Sequence, residues 1–286
     1  MPSVREMKLA HRPERTRTVR PSLDRLWNLL ALPLLVFITL PLAALFLRAS
    51  FDDFIDALGQ PQVGMAIRLS LVSSLTSTAA ALLAGTPVAY ILARRDFRFH
   101  HIVDTIVDLP TVLPPSVAGM ALLMAFGRRG LLAPILAPLG INIPFTLAAV
   151  VMAQTFVAAP FYVKAAAIGF SSIDTELKQA AALDGASRWQ TFRYVTLPLS
   201  WTALVSGGVM TWARALGEFG ATILFAGNFQ GRTQTMPLAI YVGFETDINV
   251  AIALSIILVC FSFAILMVVK GLLYRRRETD PEIVDK

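Results

Sequence analysis

The chain has 286 residues, of which 56% are hydrophobic and only 15% are charged, with a mean hydropathy of +0.64 and a formal net charge of +6. Soluble domains carry about 25% charged residues, so this composition excludes most soluble enzymes, disordered regulators and disulfide-stapled secreted modules. The solvent for which such a chain is built is largely lipid.

Apolar runs along the chain predict six membrane-spanning helices. A span needs about 20 largely apolar residues. In chain order the six runs are 26–47, 69–93, 109–127, 145–163, 199–225 and 248–269. The stretch that precedes the fourth run is rich in Pro and Gly and is interpreted as a loop. The first run is too long for the core of a cleaved signal peptide and is interpreted as an uncleaved span.

Two of the predicted spans are interrupted. The third contains Pro110, Pro114 and Pro115, and broken helices at membrane depth occur where they line a cavity or are buried in protein. A kink that only improves packing is the alternative. The fifth contains Arg214 and Glu218, which are four residues apart and can meet on one helix. This pair is either a structural link between helices or a gate or positive element on an anion path.

Lys and Arg residues are distributed unevenly between the two sides of the membrane. The N-tail, 94–104, 164–194 and 270–286 together carry 19 of them, and the opposite loops carry five. The excess predicts that both termini are cytoplasmic. The predicted organisation is a basic cytoplasmic N-tail (1–25), a transmembrane domain (26–270) and a cytoplasmic C-tail (271–286). The Arg run at 275–277 indicates an anchor beside anionic lipid, with a nucleic-acid patch as the poorer alternative.

The cytoplasmic stretch at about 164–194 is more elaborate than a connector. Ser172 or Asp174 can cap a first helix, and Gly185 can adopt the left-handed conformation that ends it. A second short helix starts with capping-box spacing at Ser187 and the Gln three residues later. A helix, a Gly corner and a second helix with small Ala faces suit a groove in a partner protein, and the alternative is an interfacial helix pair lying on the membrane.

This stretch resembles the EAA loop of ABC-importer permeases, whose pattern is Glu-Ala-Ala-x3-Gly-x9-Ile-x-Leu-Pro. The matching positions here are Gln179, Ala180, Ala181, Gly185, Val195, Leu197 and Pro198. Gln179 replaces the usual Glu and Val195 replaces Ile, and Glu176, one turn earlier, is the candidate to substitute for the missing charge. In the family this loop forms the coupling helix that inserts into a cleft of the nucleotide-binding subunit. The resemblance therefore implies that these residues couple the chain to an ATPase.

Other segments are similar to the molybdate/tungstate branch of these permeases, and sulfate permeases share versions of them. They are 109–119, 126–130, 213–221 and 235–241, and the similarity covers about 60–270. The resemblance implies an all-α polytopic membrane protein of the ABC type I importer kind. It also implies a homodimer with two cytoplasmic ABC ATPase subunits and an extracytoplasmic oxyanion-binding protein.

The remaining residues predict no chemistry in this chain itself. It has no Gly-x4-Gly-Lys-Ser/Thr motif, so ATP and Mg are expected on the partner ATPase. We expect no catalytic residue, no metal site and no cofactor in this chain. Asp104 and Asp108 share a helix face, which is interpreted as a solvated boundary rather than an acid–base pair. The only cysteine, Cys260, lies in an apolar run and is predicted to be buried.

The sequence thus predicts the permease subunit of an ATP-driven importer of a tetrahedral oxyanion, most simply molybdate or tungstate, in the cell (inner) membrane. Arg214, Glu218, Pro114 and Pro115 are the candidate pathway or gate residues. The alternatives are a sulfate/thiosulfate permease of the same architecture and an ion-coupled secondary carrier. A membrane-embedded enzyme is disfavoured because no reactive constellation converges.

Overall fold

A computed structural model describes residues 21–94 and 98–279, which form fourteen α-helices and one π-helix and contain no β-strand. In chain order the elements are α1 (Pro21–Arg48), α2 (Phe51–Gly59), α3 (Pro61–Leu92), α4 (His100–Val112), α5 (Pro115–Phe126), α6 (Ala133–Leu136), α7 (Leu147–Ser171), α8 (Thr175–Leu183), α9 (Arg188–Thr191), the π-helix (Phe192–Thr196), α10 (Leu197–Leu199), α11 (Trp201–Leu216), α12 (Gly220–Ala226), α13 (Met236–Thr246) and α14 (Ile248–Thr279).

Four of the described helices, α1, α3, α7 and α14, are long and apolar enough to cross a membrane. A fifth crossing results if α4 and α5 together form one bent span. The helix α1 and the chain from Ala49 onward are two compact units. In α1 none of the apolar window is buried, whereas half of the window of α7 is buried.

The core of the larger unit is built on α7, which packs along both α3 and α11. Two glycines allow α7 and α11 to approach: a Cβ at Gly169 would lie 2.5 Å from the Cβ of Ala203, and one at Gly207 would lie 2.7 Å from the Cβ of Ala165. Small residues at such contacts let helix backbones pack closely, which is the main source of helix association in lipid. The three helices therefore form the rigid centre of the larger unit.

The third predicted span is two helices rather than one. The axes of α4 and α5 differ by 116°. A residue that precedes proline is held in extended conformation, and Leu113 and Pro114 both precede one, with ψ of 136° and 134°. The prediction of an interrupted span is confirmed, and two consecutive prolines are the cause of the bend.

The predicted end of the fourth span at residue 163 is wrong, because α7 continues to Ser171. The prediction stopped at the first charged residue, Lys164. In the structure the ammonium group of Lys164 lies 2.6 Å from a carboxylate oxygen of Asp104 and 2.7 Å from one of Asp108. Lysine is a good helix former, so the first charged residue ends the apolar run but does not end the helix.

The fifth and sixth predicted spans also differ from the structure. α11 ends at Leu216 and α12 begins at Gly220, so the fifth span is broken at 217–219. α14 begins where the sixth span was predicted to begin but extends to Thr279. Cys260 is exposed on α14 rather than buried, because a membrane helix turns apolar side chains outward as well as inward.

Parts of the predicted tails lie outside the described residues, namely 1–20 and 280–286, and so do the side chains of the basic run at 275–277. The predicted division into an N-tail, a transmembrane domain and a C-tail stays a prediction.

Asp247 ties two helix junctions together. One of its carboxylate oxygens accepts a hydrogen bond from the side chain of Gln60, at 3.2 Å. The other accepts from the backbone N–H groups of Asn249 and Val250, at 3.1 and 3.4 Å. These bonds, first of all the one from Gln60, hold the pKa of Asp247 below its usual range. The stabilisation is present while the carboxylate is ionised and is lost as the pH falls through this lowered pKa.

Candidate functional site

The coupling loop, which we define as the segment from Ser172 to Ser200 between α7 and α11, begins with α8. Asp174 is the N-cap residue of α8 but makes no side-chain capping hydrogen bond. Ser172 caps the end of α7 instead. α8 ends in a Schellman motif: the N–H of Gly185 donates to the carbonyl of Ala182, and the N–H of Ala186 to that of Ala181. Gly185 has φ of +84°, as predicted.

The second helix of the loop, α9, starts with the predicted capping box. The backbone N–H of Ser187 donates to the side chain of Gln190 at 2.7 Å, and the backbone N–H of Gln190 donates to the hydroxyl of Ser187 at 3.3 Å. The chain then passes through the π-helix and returns to α11 through Leu197 and Pro198. The corner between α8 and α9 is thus fixed by local hydrogen bonds on both sides.

The coupling loop is fastened to the end of α7 at two points. The ammonium group of Lys178, on α8, donates to the carbonyl of Phe170 at 3.2 Å. The buried hydroxyl of Ser200, just before α11, donates to the carbonyl of Gly169 at 3.1 Å. Both ends of the loop are therefore hydrogen-bonded to the helix at the centre of the core.

The outer face of the loop is exposed. The side chains of Glu176, Gln179 and Ala180 are exposed, and Leu183 is 88% exposed although it is apolar. Ala181 and Leu197 are partly buried, while Gly185 and Pro198 are exposed. An exposed apolar residue beside small alanines is typical of a surface that a partner covers.

The two broken spans meet at their breaks. A Cβ at Gly220, the first residue of α12, would lie 2.6 Å from the Cβ of Pro115, the first residue of α5. One turn further along α5, a Cβ at Gly119 would lie 2.8 Å from the carbonyl oxygen of Ala221. Pro114 lies at the bend itself and is exposed. The structure therefore brings the predicted proline break beside the break that contains Glu218.

Arg214 and Glu218 meet, as their spacing predicts, but Glu218 lies beyond the end of α11. A guanidinium nitrogen of Arg214 is 2.8 Å from one carboxylate oxygen of Glu218, whose other oxygen accepts a hydrogen bond from the N–H of Ala221 at 2.9 Å. The side chain of Glu218 is 1% exposed and that of Arg214 is 31% exposed. The site therefore places a partly exposed guanidinium group, paired with a buried carboxylate, at the junction of two broken spans.

Sequence reasoning missed the role of Lys164. It joins α7 to α4 through Asp104 and Asp108, so these aspartates form an ion-pair cluster and are not simply a solvated boundary. The available signal was the four-residue spacing of the two aspartates together with a single lysine at the end of an apolar run. Among the described residues, no group of three or more His, Cys, Asp or Glu side chains is placed to hold a metal ion.

Comparison with known proteins is consistent with this geometry. The sequence model of the family described as "Binding-protein-dependent transport system inner membrane component" matches residues 85–278. The chain is similar to the molybdenum transport system permease protein ModB of Mycobacterium tuberculosis, with 42% identity over 79% of this chain and 85% of the relative. It is also similar to the molybdate/tungstate transport system permease protein WtpB of Thermococcus kodakarensis, with 34% identity over 85% and 93% of the two chains.

The fold has a counterpart among solved structures. A chain of a bacterial alginate ABC transporter, crystallised with an alginate-bound periplasmic protein, superposes with a TM-score of 0.69 at 20% identity. The superposition covers 89% of this chain and 96% of that one, and it supports the fold. The chain belongs to the binding-protein-dependent transport system inner membrane components, the permeases of ABC importers, and within them to the molybdate/tungstate permease family.

Proposed function

We propose that this chain is the permease subunit of an ATP-driven importer that carries molybdate or tungstate. The names of its relatives support this class of anion. The chain performs no covalent chemistry, and ATP and Mg bind to a separate ATPase polypeptide. Two copies of the chain form the pathway, two cytoplasmic ABC ATPase subunits drive it, and an extracytoplasmic oxyanion-binding protein delivers the anion.

The observation that carries this proposal is the coupling loop. Its exposed outer face offers Glu176, Gln179, Ala180 and Leu183 to a partner, while Lys178 and Ser200 fasten its inner side to α7. A docking element must be both accessible and rigidly joined to the part that it moves. Glu176 and Gln179 lie three apart on α8, which supports Glu176 as the substitute for the family's charged residue.

A continuous series of contacts joins the loop to the broken spans. α8 is fastened to α7, Lys164 of α7 is paired with α4, and α4 leads into the bend at Pro114. Pro115 then contacts Gly220, two residues after Glu218. We propose that closure of the ATPase subunits moves α7 and α4 through these contacts, and that the junction at Arg214 and Glu218 opens toward the outside.

The orientation follows from charge. The side that contains the coupling loop carries 19 Lys and Arg residues and the opposite side carries five. This excess supports cytoplasmic termini and a cytoplasmic loop, where an ATPase subunit can reach it. Arg214 is already paired with Glu218, so we expect it to hold an anion only weakly. Weak binding supports a separate capture protein outside, since a permease that held a dianion tightly would not release it.

Steric block of the loop tests the proposal. Ala180→Arg places a long side chain on the exposed motif, and Ala182→Arg, on the same helix but about 200° around its axis, is the matched control. Each full-length variant is co-expressed with the ABC ATPase encoded beside the permease gene, and the ATPase that co-purifies is quantified. We expect Ala180→Arg to reduce it by about tenfold, the equivalent of roughly 1.4 kcal/mol of binding free energy.

The control is expected to retain most of the ATPase. Wild-type recovery with Ala180→Arg, or an equal loss in both variants, would argue against docking through this motif.

A further inference from the structure

A groove of about 620 Å³ runs along α3 to the start of α9. This volume lies in the range of about 300–1,000 Å³ that holds small-molecule ligands. Its lining residues, all from α3, the turn after it, α9 and the π-helix, are Leu82, Leu83, Thr86, Pro87, Tyr90, Arg94, Arg188, Trp189 and Phe192. The pathway and coupling contacts described above use none of these residues.

The walls of the groove are apolar and aromatic. The ring centroids of Tyr90 and Phe192 are 5.0 Å apart, and Trp189 stacks on Phe192 at 5.7 Å. The hydroxyl of Thr86 donates a hydrogen bond to the carbonyl of Leu82 and is also hydrogen-bonded to the hydroxyl of Tyr162, both at 2.6 Å. The wall of α3 therefore offers only an apolar surface to a bound molecule.

Two guanidinium groups lie where the groove reaches the end of α3. Arg94 donates to the hydroxyl of Tyr90 at 2.6 Å and lies over its ring at 4.5 Å, and Arg188 is the first residue of α9. Both side chains are exposed, and no carboxylate within the described part of the chain lies at ion-pair distance from either. The groove thus ends in two positive charges that have no acidic partner among the described residues.

The dimensions match one lipid chain. α3 rises about 15 Å from Leu82 to Leu92, at about 1.5 Å per residue, and one leaflet of the hydrocarbon core is about 15 Å deep. An apolar groove of one-leaflet depth, which ends in two arginines without a carboxylate partner among the described residues, suits an anionic phospholipid. A wholly apolar helix packed here would fill the groove but would leave both arginines without a partner.

We infer that this groove binds an anionic phospholipid, with an acyl chain along Leu82–Leu92 and the phosphate between Arg94 and Arg188. The bound headgroup links the end of α3 to the start of α9 and so steadies the corner of the coupling loop. The site does not depend on which anion the chain transports. Only its assignment to the cytoplasmic leaflet rests on the proposed orientation.

Native mass spectrometry of the purified full-length chain tests this site without ATPase or substrate. The probes are phosphatidylglycerol and phosphatidylcholine with identical acyl chains, which differ in headgroup charge. We expect the wild type to retain phosphatidylglycerol in preference to phosphatidylcholine. We expect the preference of the double variant Arg94→Gln/Arg188→Gln to be about thirtyfold lower, because two basic side chains near the anionic headgroup are removed.

Arg193→Gln is the matched control, since Arg193 is exposed on the same loop, lies 5.9 Å from the Tyr194 ring and does not line the groove. Equal retention of the two lipids by the wild type would overturn the inference. So would a preference that the double variant keeps, or one that the control loses to the same extent.

Photocrosslinking distinguishes lipid from protein as the occupant. Leu83 is 79% exposed in the groove wall, and p-benzoylphenylalanine is incorporated in its place in the full-length chain in native membranes. We expect a crosslinked peptide with the added mass of a phospholipid. A crosslink to a second copy of the chain would assign the groove to a protein interface and overturn the inference.

Discussion

At the scale of single residues, Glu218 shows how a carboxylate is accommodated inside an apolar bundle. A buried charge is costly unless it is both paired and hydrogen-bonded. Arg214 supplies the counter-charge, and the backbone N–H of Ala221 satisfies the second oxygen. Because Arg214 remains partly exposed, a change in the pair would alter the positive charge that an anion meets.

We expect Glu218→Gln to lower uptake of labelled oxyanion by about tenfold without loss of membrane-inserted protein. Glutamine keeps an acceptor for the N–H of Ala221 but removes the negative charge that pairs with Arg214. A hydrogen bond to a charged group contributes about 1.5–3 kcal/mol, which corresponds to tenfold or more. Uptake and protein amount are measured on the same membranes. The exposed Glu245, changed to Gln, is the matched control. Wild-type uptake in Glu218→Gln would argue against a gating role.

Residue pairs that are close in sequence were predictable, and distant ones were not. The Ser187 capping box, the left-handed Gly185 and the Arg214–Glu218 contact depend on spacings of four residues or fewer. The pairing of Lys164 with Asp104 joins residues 60 apart, and its geometry depends on how α4 packs on α7. Spacing within one helix carries no information of this kind.

At the scale of elements, the cluster of Lys164, Asp104 and Asp108 fastens α4 to α7. α4 has no fully buried residue, and Val103 and Val107 are only partly buried against the core. The ion pairs therefore add to the limited apolar contacts that hold α4 in place. All three side chains are at least one third exposed, so solvent weakens the attraction between them.

We expect Lys164→Met to lower the Tm of the purified chain in detergent by more than the triple variant Lys164→Met/Asp104→Asn/Asp108→Asn does. The single variant leaves two carboxylates on one helix face without a counter-charge, and the triple variant removes them. Each 1 kcal/mol of coupling corresponds to about 2–4 °C in a domain of 150–250 residues. Equal Tm values for the two variants would mean that the charges do not hold α4.

The existence of the long helices was predictable from hydropathy, but their ends and breaks were less so. Lys164 ends an apolar run but favours helix, so α7 extends beyond its predicted end. Pro114 and Pro115 correctly predicted the break in the third span, because proline restricts its own backbone conformation. The break at 217–219 carries no proline, and it was indicated only by the two charged residues around it.

At the scale of the whole molecule, the distribution of basic residues predicts on which side of the membrane the coupling loop lies. A net charge of +6 says little by itself. The presence of 19 basic residues on one predicted side of the membrane and five on the other predicts the orientation of the chain. It puts the coupling loop, the proposed lipid groove and the start of α4 on one side. In the proposed function, the two broken spans join that side to the pathway.

The most direct test of ATP-driven oxyanion import is uptake by proteoliposomes. The full permease–ATPase complex is reconstituted with ATP trapped inside and the oxyanion-binding protein outside, and accumulation of labelled molybdate is measured with and without excess unlabelled tungstate or sulfate. We expect accumulation that requires ATP, persists when proton and sodium gradients are collapsed, and is inhibited by tungstate but not by sulfate. Accumulation that follows an ion gradient without ATP, or that sulfate inhibits more strongly than tungstate, would contradict the proposed function.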